Sequence, residues 1–124
     1  MIDRLGIGFV GAGFIANFHV KGWVSVRHAD IKGICDLDRE RAKAVAEQCT
    51  KLRVGNPKVF TDIREMVRDP EIDAIWIMVP NFARLSVTET IAKEVIQKRA
   101  KLMGVVCEKP LARTVNKHKK CLPL

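Results

Sequence analysis

A chain of 124 residues has the length of one ordinary domain. With 48% hydrophobic and 29% charged residues it can bury a core, which excludes a disordered or collagen-like chain. The formal charge of +8 is spread along the chain, apart from Lys98, Arg99 and Lys101 and the run Lys117, Lys119 and Lys120. That spread reads as solvated helix faces, and without tyrosine or an aromatic ladder for stacking bases, nucleic acid is not an expected partner. No apolar run approaches the roughly 18 residues of a membrane span, so no membrane is expected either. Asp3 and Arg4 precede a brief apolar run with no small-residue cleavage site, which makes the cytoplasm the expected compartment.

The elements alternate. Leu5 to Val10 is a short apolar run closed by Gly11, suited to a strand buried on both faces. Ile15, Phe18, His19, Trp23 and Val26 recur at helical steps and predict one side of a helix. Ile31 to Cys35 reads as a second strand, closed by Asp36. Asp38 is a fitting N-cap for a helix over Arg39 to Gln48, whose stripe is Ala42, Val45, Ala46 and Cys49. After Gly55, Asn56 and Pro57 come a small strand, Lys58 to Phe60, and a short helix capped by Thr61 or Asp62 and ended by Pro70. Ile72 to Val79 is the strongest predicted strand. Pro80 and Asn81 turn the chain into a helix over Leu85 to Arg99, and Met103 to Cys107 is a fifth strand. Such alternation predicts an α/β fold, a Rossmann-type doubly wound parallel sheet with helices on both faces.

Three places carry chemistry. Gly11-Ala12-Gly13-Phe14-Ile15-Ala16 is the G-x-G-x-x-G/A pattern, set between a predicted strand and a predicted helix, the context in which it binds dinucleotides. Gly11 permits the tight turn, Gly13 lets backbone approach a pyrophosphate, and Ala16 is small enough for close packing. The helix start then offers free N–H groups to the phosphates. Asp36, ending the second strand, can accept ribose hydroxyls and repel a 2′-phosphate, favouring NAD. Arg39 and Arg41 can instead receive that phosphate, which keeps NADP possible. Glu108-Lys109-Pro110 closes the fifth strand, where ligands of open α/β sheets bind, and it argues against a methyltransferase on the same fold. The four cysteines, Cys35, Cys49, Cys107 and Cys121, form no C-x-x-C pair, and no metal site or disulfide framework is expected.

Val10-Gly11-Ala12-Gly13, Cys35-Asp36-Leu37-Asp38, Val79-Pro80-Asn81 and Glu108-Lys109-Pro110-Leu111-Ala112 follow one another in a familiar order. In these segments the chain resembles the N-terminal domain of the glucose–fructose oxidoreductase, inositol dehydrogenase and rhizopine catabolism (Gfo/Idh/MocA) family, over roughly residues 4 to 115. The resemblance implies an NAD(P)-dependent oxidoreductase that passes hydride between nicotinamide and a sugar, polyol or derivative. It implies a catalytic role for Lys109, matching the family lysine that positions the substrate hydroxyl and its proton. Pro80 and Asn81 match the loop beside the nicotinamide ribose. The expected cofactor contacts are then Gly11, Ala12, Gly13, Phe14, Ile15, Asp36, Arg39, Pro80, Asn81, Glu108 and Lys109.

Two departures stand out. Where the family often has His three residues after that Asn, this chain has Arg84. The family also continues into a second α/β domain that supplies an acid/base His and the substrate walls, and none of His19, His28 and His118 substitutes for it. The expected organisation is an NAD(P)-binding domain over 1–115 and an irregular basic tail over 116–124, with the substrate domain missing. The alternative is a non-catalytic dinucleotide-binding or regulatory module left by truncation. Apolar side chains that lack a partner strand suggest self-association.

Overall fold

A computed structural model describes residues 4–26 and 28–107 of the chain. These residues form β1 (Leu5–Val10), α1 (Phe14–Gly22), a single 3-10 turn (Trp23–Ser25), β2 (Ala29–Cys35) and α2 (Arg39–Lys51). β3 (Lys58–Phe60), α3 (Ile63–Arg68), β4 (Ala74–Ile77), α4 (Asn81–Ile96) and β5 (Gly104–Cys107) complete them. All strand pairs are parallel, in the order β3-β2-β1-β4-β5. The chain builds outward from β1 through β2 to β3, then crosses back to lay β4 on the other side of β1. The strand order therefore reverses between β1 and β4, and a crevice opens there beyond their carboxyl ends. The α/β doubly wound fold expected from the alternation is the one observed.

The sheet separates two apolar layers. On one side Ile7, Phe9, Ile31 and Ile34 pack with Ala16 and Val20 of α1 and with Ala42, Val45 and Cys49 of α2. On the other, Val10, Cys35, Ile75 and Ile77 pack with Met66 and Val67 of α3 and Val87 and Ile91 of α4. β1 alternates as a doubly covered strand must, Phe9 to one layer and Val10 to the other. Ile31 and Ile34 share a layer although three residues apart, because the β1–β2 register slips between Ile7 and Gly8, leaving one extra residue in β2. Gly8 and Gly33 face each other at that slip, and Met66 of α3 fills the space a Cβ at either would take.

Three expectations need correction. In α1 the buried stripe is Ala16 and Val20, continued by Trp23 of the 3-10 turn, whereas Phe18 is 65% exposed and Ile15 and Val26 are also exposed. Small residues win that face because α1 must lie close to the sheet. Trp23 closes the stripe by stacking edge-on to Phe9, ring centroids 5.6 Å apart, and by donating its indole N–H to the Ala29 carbonyl at 3.1 Å. β4 is shorter than Ile72 to Val79: it pairs with β1 only over Ile7 to Val10, and beyond Ile77 the chain turns away to line the crevice. α4 begins at Asn81, not Leu85, since Pro80, with φ −57°, is itself its N-cap and its carbonyl accepts the Ala83 N–H at 2.9 Å.

No helix among the described residues is long and apolar enough to cross a membrane. Glu108, Lys109, Pro110 and the 116–124 tail lie outside the described residues.

Candidate functional site

A cavity of about 890 Å³ occupies the crevice at the β1–β4 reversal. Its walls are the Gly11–Gly13 turn with Ile15, the β2 end at Cys35, Asp36 and Leu37, Arg41 of α2, Thr61 and Ile63, and the Met78–Pro80 turn running into α4. Residues far apart in sequence meet there because every strand points its carboxyl end the same way.

The turn after β1 is fixed by its glycines in two different ways. Gly11 has φ +104°, and a Cβ there would sit 2.7 Å from the Met78 carbonyl oxygen. It is needed for the fold. Gly13 has φ −91°, and a Cβ there meets nothing within 4 Å. It keeps space open on the cavity side without being required for folding.

All four helices start at this end of the sheet, but their starts differ. Asp38 caps α2, its carboxylate accepting the Glu40 and Arg41 N–H groups, and Asp62 caps α3 through the Arg64 N–H. α1 begins at Phe14 after Gly13 and α4 begins at Asn81 after Pro80, each without a side-chain cap. Neither has an acidic residue in its first turn. Two helix starts on the cavity wall thus keep unsatisfied N–H groups and their partial positive charge.

Asp36 is more constrained than a free ribose acceptor. Its Oδ2 accepts the Ala12 N–H at 2.9 Å, and its Oδ1 accepts the Asp38 N–H at 2.8 Å. Arg41 donates to both oxygens at 3.2–3.3 Å. The carboxylate therefore ties the β2 end to the glycine turn, and its roughly four acceptor positions are filled. The Arg41 bonds are the long ones and its side chain is mostly exposed, so this partner is the one that can yield. Arg39 is exposed at the first position of α2 and does not line the cavity; Arg41 does.

Arg84 is the residue the sequence reading marked only as a departure. It lines the cavity, is 6% exposed, and donates Nε–H to the Val79 carbonyl at 3.1 Å. Its Nη1 is buried with no hydrogen-bond partner. The signal available beforehand was its place in the first turn of the helix after β4. Cys35, also on the wall, has its thiol pushed up to about 12, first by burial and then by the charges of Asp36, Asp62 and Glu65, so it is no nucleophile. Among the described residues no group of three or more His, Cys, Asp or Glu is placed to hold a metal ion.

The open space over Gly13, the two uncapped helix starts and the orphan guanidinium N–H suit a polyanion. The carboxylate at the neighbouring strand end suits hydroxyl groups. A dinucleotide with its pyrophosphate at the glycine turn fits this donor set.

Comparison with known proteins agrees. Residues 5–124 match the model of the Gfo/Idh/MocA family, described as an oxidoreductase family with an NAD-binding Rossmann fold, and the chain belongs to that family. It is 35% identical over 109 residues to inositol 2-dehydrogenase of Acidothermus cellulolyticus, covering 87% of this chain and 28% of the relative. It is 32% identical over 108 residues to 1,5-anhydro-D-fructose reductase of Ensifer adhaerens, covering 87% and 29%. Among solved structures, myo-inositol dehydrogenase from Lactobacillus casei in complex with NAD(H) and myo-inositol superposes with a TM-score of 0.77 at 23% identity, over 96% of this chain and 32% of that one. The chain thus spans about 30% of the length of the relatives it matches.

Proposed function

We propose that this chain is the cofactor-binding part of an NAD-dependent dehydrogenase acting on a polyol or sugar. The observation that carries the reading is the cavity at the strand-order reversal, where Gly13 leaves its wall open beside an uncapped helix start. The Gly11–Gly13 turn and the starts of α1 and α4 hold the pyrophosphate by backbone N–H groups. Asp36 takes the adenosine ribose as Arg41 swings away, and its charge opposes a 2′-phosphate, which favours NAD over NADP. Nicotinamide, once bound, supplies the hydride acceptor or donor.

Lys109 is the proposed group at the substrate. β5 ends at Cys107, the Glu108-Lys109-Pro110 motif comes next in the sequence, and the family resemblance gives the lysine its role. It positions the substrate hydroxyl and its proton. The relatives' names span a cyclic polyol and an anhydro sugar, which supports the substrate class and no single member of it.

Calorimetric titration of the folded 124-residue chain with NADH and NADPH tests the reading. Saturable heat with NADH, and weaker binding of NADPH, is the expected result. A folded sample giving no saturation with either cofactor sinks it. An assay of hydride transfer over a polyol and sugar panel then separates a catalytic chain from a binding module, which binds without turnover.

A further inference from the structure

We propose that Arg84 is a phosphate-anchoring residue, whose guanidinium takes an oxygen of the dinucleotide's pyrophosphate. The proposal rests on the reading above and adds a side-chain contact to a site so far built from backbone N–H groups.

Three observations converge on it. Arg84 is more than nine-tenths buried, yet Nη1 has no partner. Leaving a buried guanidinium N–H without an acceptor is unfavourable, and an acceptor supplied by a ligand would relieve it. Arg84 is on the wall of the cavity it shares with Gly11, Ala12 and Gly13, on the first turn of uncapped α4, with Nη1 buried just behind that wall. Lastly, among the described residues no carboxylate pairs with Arg84; the cavity's own acid, Asp36, is engaged by Arg41 and two backbone amides.

A purely structural role does not account for this. The Nε bond to the Val79 carbonyl steadies the turn into α4, but it uses one donor of five. An apolar side chain of similar length would fill the same volume and leave no orphan. A guanidinium held at one edge by a backbone carbonyl is instead pre-oriented, with the rest of its fork available to a phosphate oxygen. Because the anion arrives from solution, the unfavourable burial is relieved only in the bound state.

The test compares the 124-residue chain with Arg84→Met and Arg84→Lys by calorimetry with NADH, ADP-ribose, adenosine and inorganic pyrophosphate, and by thermal melting without ligand. Arg84→Met should weaken NADH and ADP-ribose alike, roughly 10- to 100-fold, as loss of a hydrogen bond between charged groups does. Adenosine should bind unchanged, and the ligand-free melting temperature should stay level or rise. Arg84→Lys should recover part of the loss. Unchanged NADH affinity in Arg84→Met overturns the proposal and leaves the cofactor reading standing, and so does a fall in melting temperature with the affinity of the folded fraction unaltered. Failure of the unaltered chain to bind NADH, with Arg84-dependent binding of pyrophosphate, removes the cofactor reading and keeps the anchor. Absence of both kinds of binding removes both.

Discussion

Helix α4 buries a charge near each end, and the two are treated in opposite ways. At the cavity end Arg84 keeps an unpartnered N–H. Ten residues on, Glu94 is 1% exposed and doubly satisfied, accepting from Arg68 at 2.6 Å and from Arg99. Its carboxyl stays below the usual range: burial pushes it up, and the bonds from Arg99 and Arg68 more than offset that. The same contrast runs through the helix starts, where α2 and α3 carry aspartate caps and α1 and α4 do not. Glu94 and the starts of α2 and α3 find partners inside the chain, although the buried Thr88 hydroxyl of α4 has none. At the crevice the starts of α1 and α4 and one N–H of Arg84 are left for something else to satisfy.

The largest effect should come from a substitution that touches only the second category. Gly13→Val adds its branches into space that is empty of protein atoms, and its backbone conformation is open to any residue. Its melting temperature should match the unaltered chain's while NADH affinity falls at least about 100-fold, because the side chain takes the phosphate's approach. Equal affinities, read by calorimetry on folded protein, break the division between the two ends.

Gly11→Ala sharpens the division from the other side. It is on the same turn, two residues away, but its φ of +104° and the Met78 carbonyl 2.7 Å from its Cβ position make it a residue of the fold. Chemical denaturation should show a loss of about 2 kcal/mol. No loss would mean that the turn adapts more freely than its contacts imply.

At the far end, Glu94→Gln should lower the melting temperature and leave the NADH affinity of the folded fraction unaltered. The sign of the pH dependence follows from the depressed carboxyl. A group whose native value lies below its unfolded value contributes its full stability above the unfolded value, about 4.3 for Glu, and loses it as pH falls through the native one. Thermal melts from pH 6 downward should therefore fall more steeply for the unaltered chain than for Glu94→Gln. Asp30 and Asp62, held low chiefly by hydrogen bonds from Arg4 and Arg64, contribute the same sign in both proteins and cancel from the difference.

This division also explains what could be read from the sequence. The alternation of strands and helices, the glycine turn and the α2 stripe of Ala42, Val45, Ala46 and Cys49 were legible because each follows from local spacing and hydropathy. The buried face of α1 was not, since large apolar residues dominate a helical pattern while a helix lying close on a sheet needs Ala16 and Val20 inside and leaves Phe18 out. The start of α4 is earlier than the Leu85 that apolar spacing predicts, because the fixed φ of Pro80 begins the helix at Asn81, ahead of its apolar stripe. Arg84 was visible only as a departure from a family pattern, because nothing local says that an arginine four residues past a proline will be buried without a partner. Long-range burial is invisible to periodicity, and the site depends on it. Lys109 stands on its motif alone, outside the described residues.

The smallest effect concerns Asp36, where the two categories overlap. Its carboxylate is both a structural tie to the Ala12 and Asp38 amides and an acceptor facing the cavity, with Arg41 on the remaining positions. Arg41 is mostly exposed, so its pairing with Asp36 is worth about 1 kcal/mol at most. Arg41→Met removes the competitor, the cation that among the described residues pairs with Asp36 and is placed to meet a 2′-phosphate. The amide bonds should keep Asp36 in place, so the melting temperature should barely move. NADH should bind a few-fold more tightly and NADPH less tightly, widening their ratio by about tenfold or less. A ratio that narrows would show that Arg41 serves the ribose directly, and the acceptor at the β2 end would then be a pair of residues acting together.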